Sequence, residues 1–326
     1  MLEPGAARDE DPPRRRGLVV RPRLGEFSEP HVPLDEAAAF YSLAGVQPPD
    51  DRPYAWSNSV CTVDGVLHFG DGHHVSDVAL RSVPHASRWS AADWRMLNTG
   101  WAHADAVLVT GEILRKEPDA GCIVRFDDLV ALRTSLLGRA APQPVQVVVS
   151  ASGDFPLSAP LFTDPAVSEV WIATTPDAVP ALAARLAAAK DAIHASVTLV
   201  VDPDPDPRSG RPARVDLRAL FARLRKAGIA FLDVSAGGSL IRHCIDCGLL
   251  DEMRWTMAGQ LAGPLDQSGV PRPAMFPTSG TFAKYESYTP HETPLLAIRG
   301  VRAAGDHLIM FRGEWEHRRP RGPTAA

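Results

Sequence analysis

The stretch Ile229-Ala230-Phe231-Leu232-Asp233-Val234-Ser235-Ala236-Gly237-Gly238-Ser239-Leu240 runs from an apolar segment, through a turn of small residues, into a helix that reaches Cys247. A strand over Ile229–Val234 followed at once by a helix is half of a β–α–β unit. The turn also carries a possible chemistry. A helix amino terminus offers unpaired N–H groups and a partial positive charge, both suited to phosphate. Gly237 and Gly238 put no Cβ in a ligand's way, and Ser239 adds a hydroxyl. The same residues also fit a tight strand-to-helix turn that holds no ligand. Neither a full GxGxxG nor a P-loop occurs in the chain.

Outward from this unit the alternation continues. Ala55–Thr62, Ala106–Thr110, Val145–Ser150, Val170–Thr174, Val197–Val201 and Met253–Met257 read as strands. Between them lie helical patterns. Ala91–His103 has Ser90 as N-cap, Asp93 three residues on, and Trp94, Leu97 and Trp101 along one face. Asp216 caps a second helix with a Leu217, Leu220, Phe221 and Leu224 stripe, stopped by Gly228, and a third follows Pro176. Leu295–Val301 and His307–Phe311 flank Gly305-Asp306 as an antiparallel hairpin. The expected fold is therefore α/β, with a mixed, mostly parallel sheet, helices on both faces and a C-terminal hairpin. Residues 51–316 form the expected domain. Residues 1–50 read as a mostly flexible extension with one short helix at Asp35–Leu43, whose Ala37, Ala38, Phe40 and Tyr41 could dock on the main body, and 317–326 as a disordered tail. Pro203–Arg211 reads as a polar loop.

The bulk composition excludes several classes. Over 326 residues the net charge is −5, which gives no broad basic face for nucleic acid. No apolar run approaches the ~18 residues of a membrane span, and the first residues given lack the apolar stretch expected of a secretory signal. Cys61, Cys122, Cys244 and Cys247 are too few for a disulfide scaffold, so a reducing, cytoplasmic setting is expected. His243, Cys244 and Cys247 lack the further ligands that zinc wants, and no metal is expected. Neither a zinc-deaminase signature nor a serine-hydrolase elbow is present.

Two further segments could carry chemistry. Asn58 through Thr62-Val63-Asp64-Gly65 ends a strand, where an amide and a carboxylate could hold a sugar; the plain reading is a turn. Gly111 through Glu117-Pro118 follows an apolar strand, and its Arg115-Lys116 pair could meet phosphate or simply face solvent, with Arg125 downstream.

In order, Asn58 to Asp64-Gly65, Val75-Ser76, Ala104-Asp105-Ala106-Val107-Leu108-Val109, Glu117-Pro118, Ala236-Gly237-Gly238 and Leu249-Leu250-Asp251-Glu252 resemble the pyrimidine reductases of riboflavin biosynthesis. The resemblance covers residues 53–313. It implies a dihydrofolate-reductase-like three-layer fold, NADPH as hydride donor, a small phosphorylated substrate and a homodimer. By the family pattern Gly237, Gly238 and Ser239 lie against cofactor phosphate, with Thr110 and Gly111 in the cofactor cleft. Asn58, Ser76 and Arg125 fall on the substrate side, and Asp64 or Glu117 becomes the proton donor. Three positions depart from that pattern. Ala236 stands where the family carries Glu, Thr110 and Ile113 replace its usual Gly and Thr, and Asn98 replaces an Arg. The departures leave room for a reductase of another small substrate, or for a non-catalytic nucleotide-binding relative.

Overall fold

The computed structural model describes residues 24–27, 29–70, 72–119, 121–202, 214–277, 288–291 and 293–316. Ten strands make one sheet: β1 (Leu24–Glu26), β2 (Tyr54–Thr62), β3 (Ala106–Thr110), β4 (Val145–Val149), β5 (Glu169–Thr174), β6 (Ser196–Val201), β7 (Phe231–Val234), β8 (Glu252–Ala258), β9 (Leu295–Ala304) and β10 (Leu308–Glu316). The helices are α1 (Leu34–Phe40), α2 (Ser90–His103), α3 (Gly111–Lys116), α4 (Asp127–Ala131), α5 (Pro160–Thr163), α6 (Val179–Ala188), α7 (Leu217–Lys226) and α8 (Gly238–Asp246). Across the sheet the order is β1-β9-β10-β8-β2-β7-β3-β4-β5-β6. From β8 to β6 every neighbour is parallel, whereas β10 is antiparallel to both β8 and β9. This is the mixed sheet expected from the sequence.

The apolar central strands feed two cores, one on each side of the sheet. Ala106 and Leu108 of β3 join the α7 and α8 side, while Val107 and Val109 join the side of α2, α5 and α6. The period of two explains why these strands read as uninterrupted apolar runs. Helix α7 forms as its sequence predicts. The Asp216 carboxylate accepts from the N–H groups of Arg218 and Ala219, four apolar side chains are buried, and Gly228 leaves the helix with φ of +92°.

One local expectation needs correcting. Ser90 does not cap α2, because a 3-10 turn over Ser87–Trp89 runs straight into the helix and leaves Ser90 inside it. Asp93 is thereby freed from a capping box. The short helix expected before residue 50 docks on the body as its apolar residues suggest: Ala37, Phe40 and Tyr41 are buried over the hairpin end with Phe27, and Ala38 packs on the neighbouring core. The parallel pairing of β1 with β9 has no counterpart among the expected strands. The expected Pro203–Arg211 loop and the tail after Arg318 lie outside the described residues.

Strand order positions the site. The late strand β7 lies between β2 and β3 and leads to α8 on one face, whereas β2 and β3 lead to α2 and α3 on the other. Chains leaving neighbouring strands for opposite faces open a crevice at the strands' carboxyl ends.

Candidate active site

That crevice is a cleft of about 1020 Å³. Its floor is the end of β2 (Asn58, Ser59, Val60), of β3 (Val109, Thr110), of β4 (Val149, Ser150) and Ser235 after β7. One wall is the start of α8 with Ala236, Gly237, Gly238 and Ser239; another is the face of α2 with Asp93, Trp94, Leu97 and Trp101. Segments carrying Glu117, Cys122 and Arg125, and Pro271 to Ala274, close the remaining sides.

The two glycines of the turn have different reasons to be glycine. A Cβ on Gly237 would meet nothing within 4 Å, and its φ of −70° suits any residue, so the open space faces the cleft. A Cβ on Gly238 would lie 1.9 Å from the carbonyl oxygen of Ala274. Gly238 thus lets the 273–275 strip approach, and that strip is fixed on its other side to residues 65–67 by Leu67 N–H to Pro273 O and Met275 N–H to Gly65 O, both 2.8 Å. Leu240 and Ile241 N–H donate to Gly237 O, so the first-turn N–H groups that α8 leaves without a carbonyl of its own helix are those of Gly238 and Ser239.

Beneath the turn lies a buried polar network. Asp233, fully buried on β7, accepts from Trp56 Nε1 at 2.7 Å, Asn58 Nδ2 at 3.3 Å and Ser235 Oγ at 2.8 Å. Trp101 Nε1 donates to Ser235 Oγ at 2.9 Å, which ties α2 to the turn. Burial raises the Asp233 carboxyl to about 6, with these hydrogen bonds and Arg254 pulling it back. A Cβ on Gly100 would stand 2.2 Å from Asn58 Nδ2, so this network also requires a glycine on α2.

Of the residues singled out from sequence, Asn58, Thr110, Glu117, Arg125, Gly237, Gly238 and Ser239 line the one cleft. Asp64, Ser76 and Gly111 do not. Asp64 is exposed and occupied: its carboxylate accepts from the Thr62 hydroxyl and from the N–H groups of Ala262 and Gly263. Burial works upward on it, but those hydrogen bonds hold it below the usual carboxylate range, the wrong direction for a proton donor. Ser76 shares its hydroxyl with His74 and Arg81, and Gly111 is buried with its Cβ position 2.8 Å from Ser150 Oγ. Thr110 caps α3 by accepting from Ile113 N–H.

Glu117 is the reverse of Asp64. It is partly buried at the cleft edge, and burial lifts its carboxyl above the ordinary glutamate range against the opposing charge of His74. Asn98, the residue in place of a family Arg, is fully buried; its Oδ1 accepts from Arg125 N–H at 2.8 Å and its Nδ2 donates to Trp94 O. It fastens the Arg125 segment to α2 rather than facing a ligand. Sequence reading missed Asp93, Ser235 and the cleft side of the Trp94–Trp101 face; the three apolar positions on one stripe were the available signal.

Residues 53–291 match the family model of the RibD C-terminal domain. Among solved structures, a pyrimidine reductase-like protein from Corynebacterium diphtheriae superposes with a TM-score of 0.56 at 19% identity, over 86% of this chain and 99% of that one. RibD from Acinetobacter baumannii gives 0.50 at 18% identity, over 81% of this chain and 58% of its own. At these identities the likeness carries the fold, which is dihydrofolate-reductase-like. No curated protein matches the chain.

Proposed function

The chain belongs to the RibD C-terminal domain family, the pyrimidine reductases of riboflavin biosynthesis, and from that premise we propose that it is an NADPH-dependent reductase acting on the ribose of a phosphoribosylated pyrimidine or a related heterocycle. The observation that carries this reading is the open Gly237 position at the head of α8, inside a cleft that also holds a carboxyl suited to give up a proton. The cleft fits a dinucleotide: it is large, its floor is strand ends, and the turn leaves space where a side chain would stand.

When bound, the nicotinamide supplies the hydride. Gly237 and Ser239 would hold its diphosphate, and Thr110 lines the same cleft. The apolar face of α2 keeps water from the reacting carbon, and the strand ends fix the substrate's approach. Reduction of the ribose carbon opens the sugar ring and needs one proton on the departing ring oxygen. Glu117 delivers it, since its raised pKa keeps the acid form available nearer neutral pH. Arg125 and Asn58, which line the same cleft, would meet the substrate.

The departures at Ala236 and Asn98 favour a second substrate reading within the same chemistry. Ala236 gives the cleft a methyl where the family has a carboxylate, and a lost charged anchor changes which sugar or base is held. Following NADPH oxidation with the ribosylaminopyrimidinone phosphate tests the proposal. Turnover supports the riboflavin-pathway substrate. Cofactor binding without turnover leaves a reductase of another small substrate, and no cofactor binding removes the reductase reading.

We also propose a homodimer. Sheet register places Trp255, Met257, Ile309, Phe311 and Val301 together on the face opposite buried Leu308 and Met310. These five side chains stay partly exposed, with Trp255 and Phe311 stacked at 4.4 Å. A second copy covering that face would bury it.

A further inference from the structure

The end of the cleft beside β2 holds a second carboxyl that the proposed reduction does not use. Asp93 lies in the first turn of α2 and lines the cleft. Burial pushes it up to about 6, opposed by a hydrogen bond from Thr256 on β8. The other cleft acids on the opposite wall have tasks or neighbours of their own: Glu112 pairs with Lys116 at 2.7 Å, Glu117 is the proposed proton donor, and Asp119 is exposed.

Next to Asp93, α2 sets out an aromatic wall. Trp94 is 41% exposed, Trp101 stands against it at 5.6 Å and 87°, and Leu97 completes the face. The Trp101 indole N–H is taken by Ser235, which fixes that ring. An indole left uncovered beside a half-buried carboxyl is a surface for a flat, N–H-bearing ring: the indole offers stacking and the carboxyl an acceptor. Such a site rejects rings lacking the N–H, because the buried acceptor would then lose water without gaining a partner.

We propose that Asp93 and the Trp94–Trp101 wall form the seat of the substrate's heterocycle, with the Asp93 carboxyl accepting from ring or exocyclic N–H groups. This rests on the reductase reading and fixes the end of the cleft at which the base sits. It makes Asp93 a specificity residue rather than a proton donor.

The test uses the full chain and two unreactive probes, uridine 5′-monophosphate and its N3-methyl counterpart, with tryptophan fluorescence as the readout. Wild type is expected to bind the first at least about tenfold more tightly than the second. Asp93→Ala should remove that difference by weakening only the first, and Asp93→Glu should restore part of it. If Asp93→Ala does not fold, the near-isosteric Asp93→Leu, which likewise offers no acceptor, is read the same way. Undiminished discrimination in the variant, equal loss for both probes, or no binding of uridine monophosphate by wild type would each overturn the proposal. NADPH titration of the same samples separates the readings: intact cofactor binding with failed discrimination sinks only the base seat, whereas absent cofactor binding sinks the reductase reading.

Discussion

Single residues show where sequence reading and physical role part. Gly237-Gly238 reads as one motif, yet only Gly237 opens on the cleft; Gly238 accommodates the backbone of Ala274, 36 positions away in sequence and invisible to local pattern. Gly238→Ala is therefore expected to lower the melting temperature through displacement of the 273–275 strip, whereas Gly237→Ala should leave it near wild type; equal effects would contradict the distinction. Asp64 looked like chemistry and is a loop clamp. Glu117 lies in the cleft with the shift a proton donor needs. Its acid form is lost as pH rises through the raised pKa, so kcat should fall on that limb. Glu117→Gln should reduce kcat on the order of 10²-fold with less change in KM and erase the limb. A full-activity, unchanged profile would exclude the role.

Elements were more legible than their neighbours in space. The β-branched runs and the Asp216 cap specify strands and α7 through local physics, and the structure has them. The insertion of β7 between β2 and β3, and the pairing of β1 with β9, depend on long-range packing that no local period encodes. The hairpin itself is pinned by a buried charge group. Glu252 accepts from Arg254 Nε at 2.5 Å and Arg312 Nη2 at 3.0 Å, and Arg254 lies over the Trp56 and Tyr41 rings at 4.3 and 4.4 Å. Burial works to raise the Glu252 carboxyl, but the two arginines outweigh it and hold it low. Glu252→Gln would leave Arg254 uncompensated and should cost about 3–5 kcal/mol in denaturant unfolding. Because the carboxyl is depressed in the fold, its contribution is present above the unfolded carboxylate pKa and lost as pH falls. The difference between variant and wild type should narrow in acid, and a constant difference would contradict the assignment.

At the scale of the whole molecule, the alternating pattern and the ordered motifs lead from sequence to the reductase family, and the cleft gathers seven of the ten candidate site residues that the sequence offers. The exposed stack on the hairpin end makes a claim at the same scale: Phe311→Glu should shift the sedimentation coefficient from dimer to monomer, and an unchanged value would remove the proposed interface. The central claim, a nicotinamide dinucleotide seated at the head of α8, is tested most directly by titrating wild type and Gly237→Val with NADPH while following nicotinamide fluorescence. The expected result is saturable binding in wild type and at least about tenfold weaker binding in the folded variant. Equal affinity in both, or none in wild type, would contradict it.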